Sequence, residues 1–270
     1  MPTLPTLLLA LILPLLGQQL GPQLGTVSPD SDRSAQHRVI DHRMTIEGQE
    51  YAWSVMIPAG VEPGGAAILF LHGYGESGTD GKRHLTVGLP PAIQRDPERW
   101  PFVVIAPQKP IHNTEWEDHE PAVLAMLEET AKEGLYDPGR LAITGLSQGG
   151  HGTIAIGGAH ADRFRAAAPV CAYTARRIDD KQQRIGPPAP EADDPAIIAG
   201  AERLKGMPVW LFHGVLDKVI PVEESRVLHD RLERLGADTR YTELPTANHN
   251  AWDDAYANAS LAAWFVTHTE

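Results

Sequence analysis

The chain has 270 residues, 42% of them hydrophobic and 21% charged, which suits a globular protein long enough to bury a core without a disulfide or metal staple. A formal net charge of −12 excludes the basic footprint that nucleic acid or an anionic membrane requires. The single cysteine, Cys171, excludes an intrachain disulfide, and its small apolar neighbours predict a buried, unreactive thiol.

No charged side chain precedes Asp30, and Leu7–Leu16 is an apolar run broken only by Pro14. Such a run is too short to span a bilayer but matches the apolar core of a signal peptide. Neither a Lys or Arg ahead of it nor an A-x-A cleavage site after it completes that pattern. Residues 1–35 are therefore read as a leader outside the fold, a signal peptide that sends the chain to the secreted or periplasmic space. A disordered start to a cytoplasmic protein is the alternative. Residues 36–270 are read as one domain.

Val39–Thr45 and Tyr51–Ile57 alternate as strands do, with a turn at Glu47-Gly48. Ala66–Leu71, Phe102–Ala106, Leu141–Thr144, Ala166–Val170 and Val209–Phe212 are short, continuous apolar runs that suit parallel strands covered on both faces. Thr239–Leu244 follows as a further strand. Between them, Glu120–Gly134 carries Val123, Leu124, Leu127 and Ala131 on one helical stripe, and Val222–Leu235 carries Val227, Leu228, Leu232 and Leu235. Strands alternating with helices predict an α/β fold, a mostly parallel twisted sheet with helices on both faces. Residues 174–199 break the rhythm. They are polar and proline-rich, and Arg176, Arg177, Lys181 and Arg184 interleaved with Asp179 and Asp180 read as a solvated loop.

Gly145-Leu146-Ser147-Gln148-Gly149 is a G-x-S-x-G directly after a predicted strand and before a small-residue helix, Gly150–Ala159. That strand–turn–helix setting exposes a serine at the head of a sheet, and the two glycines remove clashes around the turn. A serine hydroxyl needs a base and an orienting carboxylate to act as nucleophile. Asp217 follows the run Val209–Phe212 and His249 follows Thr239–Leu244. Both therefore fall on loops at the carboxyl edge of the sheet, in the order Ser, Asp, His. Ser147 is the candidate nucleophile, His249 the base and Asp217 the acid that orients it. Backbone N–H groups of Gln148 and of Tyr74, between two glycines after Ala66–Leu71, are the candidate oxyanion donors. Trp116 and Trp252 are candidate pocket walls beside Tyr74. The twelve histidines show no helical metal-ligand spacing, so no metal is expected, and His72 and His213 are read as structural hydrogen-bonding groups.

The segments LHGYGESG (71–78), APQ (106–108), GLSQGG (145–150), FHGVLDKVIP (212–221) and NHNAWDDAY (248–256) resemble one branch of the α/β-hydrolase superfamily. That branch holds feruloyl and acetyl-xylan esterases, polyhydroxyalkanoate depolymerases and phospholipase/carboxylesterase enzymes. The resemblance implies ester hydrolysis through an acyl-enzyme, without a cofactor, on a small-molecule or polysaccharide-linked ester. Tyr74, Trp116 and Trp252 around Ser147 favour short or aromatic acyl groups over fatty chains. Residues 174–199 are expected to border the pocket and to restrict the alcohol portion. A peptidase of the same fold and a non-catalytic binding protein are the competing readings.

Overall fold

The computed structural model describes residues 37–178 and 190–270; the leader and the middle of the 174–199 segment lie outside them. Eight strands form one sheet: β1 (Arg38–Ile46), β2 (Gln49–Ile57), β3 (Ala67–Leu71), β4 (Val103–Gln108), β5 (Leu141–Leu146), β6 (Ala167–Val170), β7 (Val209–Gly214) and β8 (Thr239–Leu244). Their order is β1-β2-β4-β3-β5-β6-β7-β8, with β1/β2 and β2/β4 antiparallel and every other pair parallel. The hairpin turn places Glu47 and Gly48 at φ +50° and +81°, as a two-residue turn matched to strand twist requires.

Among the described residues seven α-helices complete the layers: α1 (Leu89–Arg95), α2 (Glu120–Lys132), α3 (Gln148–Ala159), α4 (Pro195–Leu204), α5 (Glu223–Arg234), α6 (Trp252–Ala257) and α7 (Ala259–Thr269). Alternate residues of the central strands point to opposite faces. Leu69, Leu71, Ile105, Ile143 and Leu211 pack with Leu127 of α2, Ile156 of α3, Leu204 of α4 and Leu232 of α5. Ile68, Phe70, Val104, Ala142 and Phe212 pack with Ile93 of α1, Tyr256 of α6 and Phe265 of α7. This double cover explains why the central strands read as continuous apolar runs. It also directs every strand-to-helix loop of the parallel strands to one edge.

Arg176 and Arg177 are not part of the solvated loop that the charges of residues 174–199 suggest. Arg177 is 5% exposed; its Nη2 donates to Glu224 at 3.0 Å and its guanidinium lies 4.5 Å from the Tyr173 ring centroid. Arg176 pairs with Asp118 through two 2.7 Å bonds. Local charge alternation hid partners that come from distant elements. The end of the segment is helical: Asp194 caps α4 by accepting from Ala196 N–H, and Pro195 occupies its first turn. Asp179, Asp180, Lys181 and Arg184 lie outside the described residues.

Candidate active site

Ser147 sits where β5 hands over to α3, with φ +54° and ψ −114°. The strained turn is held by Ser147 N–H donating to the Val170 carbonyl at 2.9 Å and by His151 N–H donating to the Ser147 carbonyl at 3.0 Å. A Cβ added at Gly145 would lie 2.3 Å from the Gly149 oxygen, and one added at Gly149 would lie 1.9 Å from the Leu71 oxygen. Strand, turn and helix approach too closely there for any side chain.

Asp217 lies on the loop after β7. Its Oδ1 accepts from the N–H groups of Val219 at 2.8 Å and Ile220 at 2.9 Å, and Asp217 N–H donates to the Gly214 carbonyl at 3.2 Å. His249 lies on the loop after β8. The two loops are tied by Val215 N–H to the Leu244 carbonyl and Leu216 N–H to the Ala247 carbonyl. Together they bring His249 Nδ1 to 2.7 Å from Asp217 Oδ2 and His249 Nε2 to 3.0 Å from Ser147 Oγ. The Asp217 side chain is shielded from solvent, whereas that of His249 is 22% exposed. Burial alone would push the Asp217 carboxyl up. Hydrogen bonds from His213 and His249 and from Ile220 N–H outweigh it and hold the group well below the usual carboxylate range. The three residues thus form one hydrogen-bonded line from a buried carboxylate to an accessible hydroxyl.

Gln148 is the first residue of α3, where helical N–H groups lack intrahelical partners, and Tyr74 opens a short 3-10 turn after β3. Trp252 meets His249 edge-to-face with ring centroids 5.5 Å apart. It also lines a crevice of about 490 Å³ together with Thr86, Val87, Pro91, Arg95 and Asn250. Trp116 is buried in the core rather than exposed as a wall. It is 1% exposed, its Nε1 donates to the His72 carbonyl at 3.1 Å, and it packs so tightly on Gly152 of α3 that a Cβ there would meet it at 2.7 Å. Its apolar bulk went to the core beneath the site, where its one donor finds an acceptor.

His72 bridges the Gly73 carbonyl and Lys109 N–H, and His213 bridges Ser225 and the Ile220 carbonyl, as structural histidines do. Cys171 is fully buried, and burial pushes its thiol up. Among the described residues two groups have ligand atoms close enough to converge on an ion, Cys171–Asp217–His249 and Glu115–Glu117–His151. In both, hydrogen bonds between the side chains or to neighbours already account for the proximity. Sequence reasoning missed Glu115, a fully buried carboxylate that accepts from the Gln148 side chain. The spacing of Glu115 and Asp118, which close a capping box around the 3-10 turn Trp116–His119, was the available signal.

A mixed sheet of this order carrying a strand–Ser–helix turn is the α/β-hydrolase fold. The prolyl oligopeptidase family matches residues 113–270, and the chain belongs to that family. A thermostable esterase superposes with a TM-score of 0.70 at 27% identity, over 87% of this chain and 63% of that one. A ferulic acid esterase superposes with a TM-score of 0.65 at 15% identity, over 87% and 99% of the two chains. An acylaminoacyl peptidase of Pyrococcus horikoshii gives 0.62 at 15% identity, over 86% of this chain and 42% of that one. The last two likenesses show the fold alone. An uncharacterized secreted protein of Arthroderma benhamiae is 29% identical over 130 residues; the match spans 43% of this chain and 13% of that protein's length. Among the described residues no helix is long and apolar enough to cross a membrane.

Proposed function

We propose that the chain is a carboxylesterase that cleaves esters of short or aromatic acids through an acyl-enzyme on Ser147. The observation that carries this reading is the continuous line Asp217–His249–Ser147, with contacts of 2.7 and 3.0 Å. Ser147 Oγ attacks the ester carbonyl while His249 Nε2 takes its proton. The carbonyl oxygen becomes an oxyanion opposite the N–H groups of Gln148 and Tyr74. The bond to the alcohol oxygen then breaks, and His249 returns the proton to the departing alcohol. Water attacks the acyl-enzyme with His249 again as base, releasing the acid and restoring Ser147. Asp217 holds the imidazole with Nδ1–H towards itself and stabilises the imidazolium.

The preference for short or aromatic acids rests on the crevice beside His249. Trp252 offers a flat face there for stacking on an aryl acid, and Thr86, Gln94, Arg95, Asn250 and Asp253 add polar groups along the same wall. The likeness to a thermostable esterase supports ester chemistry. The family favours a second reading, a peptidase, since it is named for an oligopeptidase. Turnover of p-nitrophenyl acetate and methyl ferulate, measured beside a peptide p-nitroanilide, separates the two. The ester reading expects the esters to exceed the anilide in kcat/KM; the reverse order would install the peptidase. The apolar run 7–16, outside the described residues, adds a secreted or periplasmic destination to the proposal.

A further inference from the structure

Residues 112–115 lie between β4 and the 3-10 turn Trp116–His119, and they grip both residues that flank the proposed oxyanion. On one side the Tyr74 hydroxyl donates to Asn113 Oδ1 at 2.6 Å, and His112 Nδ1 lies 3.2 Å from the Tyr74 carbonyl oxygen. On the other, Gln148 Nε2 donates to the Thr114 carbonyl at 2.9 Å and to Glu115 Oε2 at 3.0 Å. The buried ammonium of Lys109 donates to the carbonyls of Ile111 and His112 and so anchors the same stretch. A single short segment therefore reaches the two candidate donors from opposite sides.

The Gln148 side chain has one workable orientation. Both N–H bonds of its amide meet acceptors, and turning it over would set Oε1 against a carbonyl oxygen and a carboxylate. Gln148 Oε1 is buried with no hydrogen-bond partner among the described residues, so the hold comes through Nε2. Glu115 is held as firmly. Its Oε2 also accepts from the Tyr173 hydroxyl at 2.8 Å, its Oε1 accepts from Arg177 N–H at 2.9 Å, and its carboxylate caps the Asp118 N–H. Donors from four places in the chain converge on one fully buried carboxylate. Burying a charge is a poor way to gain stability, since apolar side chains of similar volume often do as well. What this carboxylate provides is a fixed point directly behind the residue that follows Ser147.

We infer that Glu115 is a positioning residue for the oxyanion site, holding the Ser147–Gln148 peptide in register with Tyr74 through the Gln148 side chain. The inference rests on the ester-hydrolase reading above. Glu115 touches no substrate. It acts by keeping a backbone N–H aimed at charge that develops only in the tetrahedral species, so its loss should lower kcat and leave KM nearly unchanged. An amide at position 115 keeps the volume but turns one acceptor into a donor facing donors, so E115Q should release either Gln148 or Arg177.

The test compares wild type, E115Q and Q148M on p-nitrophenyl acetate, well below their melting transitions, with binding of a phenylboronic acid that forms a tetrahedral adduct on the serine. E115Q should lower kcat by about ten- to a hundredfold with KM within about threefold, and boronate affinity should fall in step. Q148M removes the same tether from its other end and should give a similar loss, with the double variant no worse than either single one. If E115Q does not fold cooperatively, Q148M decides alone. A folded variant whose kcat stays within about twofold of wild type, or whose loss lies in KM only, overturns the inference. A wild-type chain that neither hydrolyses the ester nor takes a fluorophosphonate at Ser147 overturns the ester reading, and this inference with it.

Discussion

His213 Nε2 lies 3.4 Å from Oδ2 of Asp217, the same oxygen that His249 Nδ1 approaches to 2.7 Å. Both side chains of this His213–Asp217 pair are fully shielded from solvent, and His213 is held on its other side by Ser225 at 2.7 Å. With acceptors at Nε2 and a hydroxyl at Nδ1, His213 satisfies its surroundings by donating from Nε2. The Asp217 carboxylate is thus fixed from behind by a second imidazole.

His213→Ala should accordingly loosen the acid and slow turnover by about tenfold, short of the loss from touching the acid itself. Asp217→Asn should cost about 10⁴ in kcat, because an amide no longer holds the His249 tautomer. Steady-state kinetics on p-nitrophenyl acetate measures both. An Asp217→Asn variant of near-normal activity would point to another carboxylate, with Asp253 and Asp254 the candidates that follow His249; Asp253 is engaged by Asn250 at 2.8 Å.

Gly149→Ala should fail to fold, since its Cβ would press on backbone oxygens of Leu71 and His72 at 1.9 and 2.5 Å. Neither atom is the end of a flexible side chain, so relief requires moving β3 or α3, at a cost of about 3 kcal/mol or more. Soluble yield and a thermal melt check this; a variant that melts like the wild type contradicts the packing described around the turn.

Arg177→Met should destabilise the protein by about 3–5 kcal/mol, because it leaves Glu224, 4% exposed, without its cation. Replacing Glu224 by Met as well should recover part of that loss, although Thr174 N–H then loses its acceptor. Urea unfolding of the single and double variants gives the comparison. A loss below about 1 kcal/mol for Arg177→Met would return the segment to the solvated loop its charges suggested.

Burial lowers His84 from the ordinary value of 6.5 to about 4, and His119 likewise to about 4. Both groups therefore stay neutral in the folded chain while the unfolded chain takes up protons between about pH 6.5 and 4. Their contribution is intact above pH 6.5 and is lost as the pH falls through that window, at about 1.4 kcal/mol per pH unit for each group. Melting temperature should drop on going from pH 7 to 5, and His84→Leu should flatten the drop. An unchanged slope in that variant would assign the acid sensitivity elsewhere.

The parts of this site that were legible in the sequence are those in which a local pattern dictates local structure. Apolar runs located the central strands to within two residues at most ends, and their double burial made the pattern unambiguous. Ser147, Asp217 and His249 could be picked out because each follows a strand at the same sheet edge. The 174–199 segment misled because Arg177 finds Glu224 and Arg176 finds Asp118 across long stretches of chain, which no local charge count reveals. Helix α4 was missed although Asp194-Pro195 carries a clear start signal, because the proline-rich run before it masked the period. Trp116 and Glu115 show the same limit from opposite directions. An aromatic assigned to the pocket wall is buried in the core, and a carboxylate that the sequence reading did not single out is fully buried under the elbow.

The most direct measurement of the central claim is the intact mass of the protein after treatment with a fluorophosphonate, followed by peptide mapping. A single adduct on Ser147 is predicted, with loss of ester hydrolysis in proportion to labelling. Ser147→Ala should take no label and should lose about 10⁶ in kcat while keeping its fold. Full hydrolytic activity in a cleanly purified Ser147→Ala variant, or inactivation by an adduct on another residue, would contradict the account.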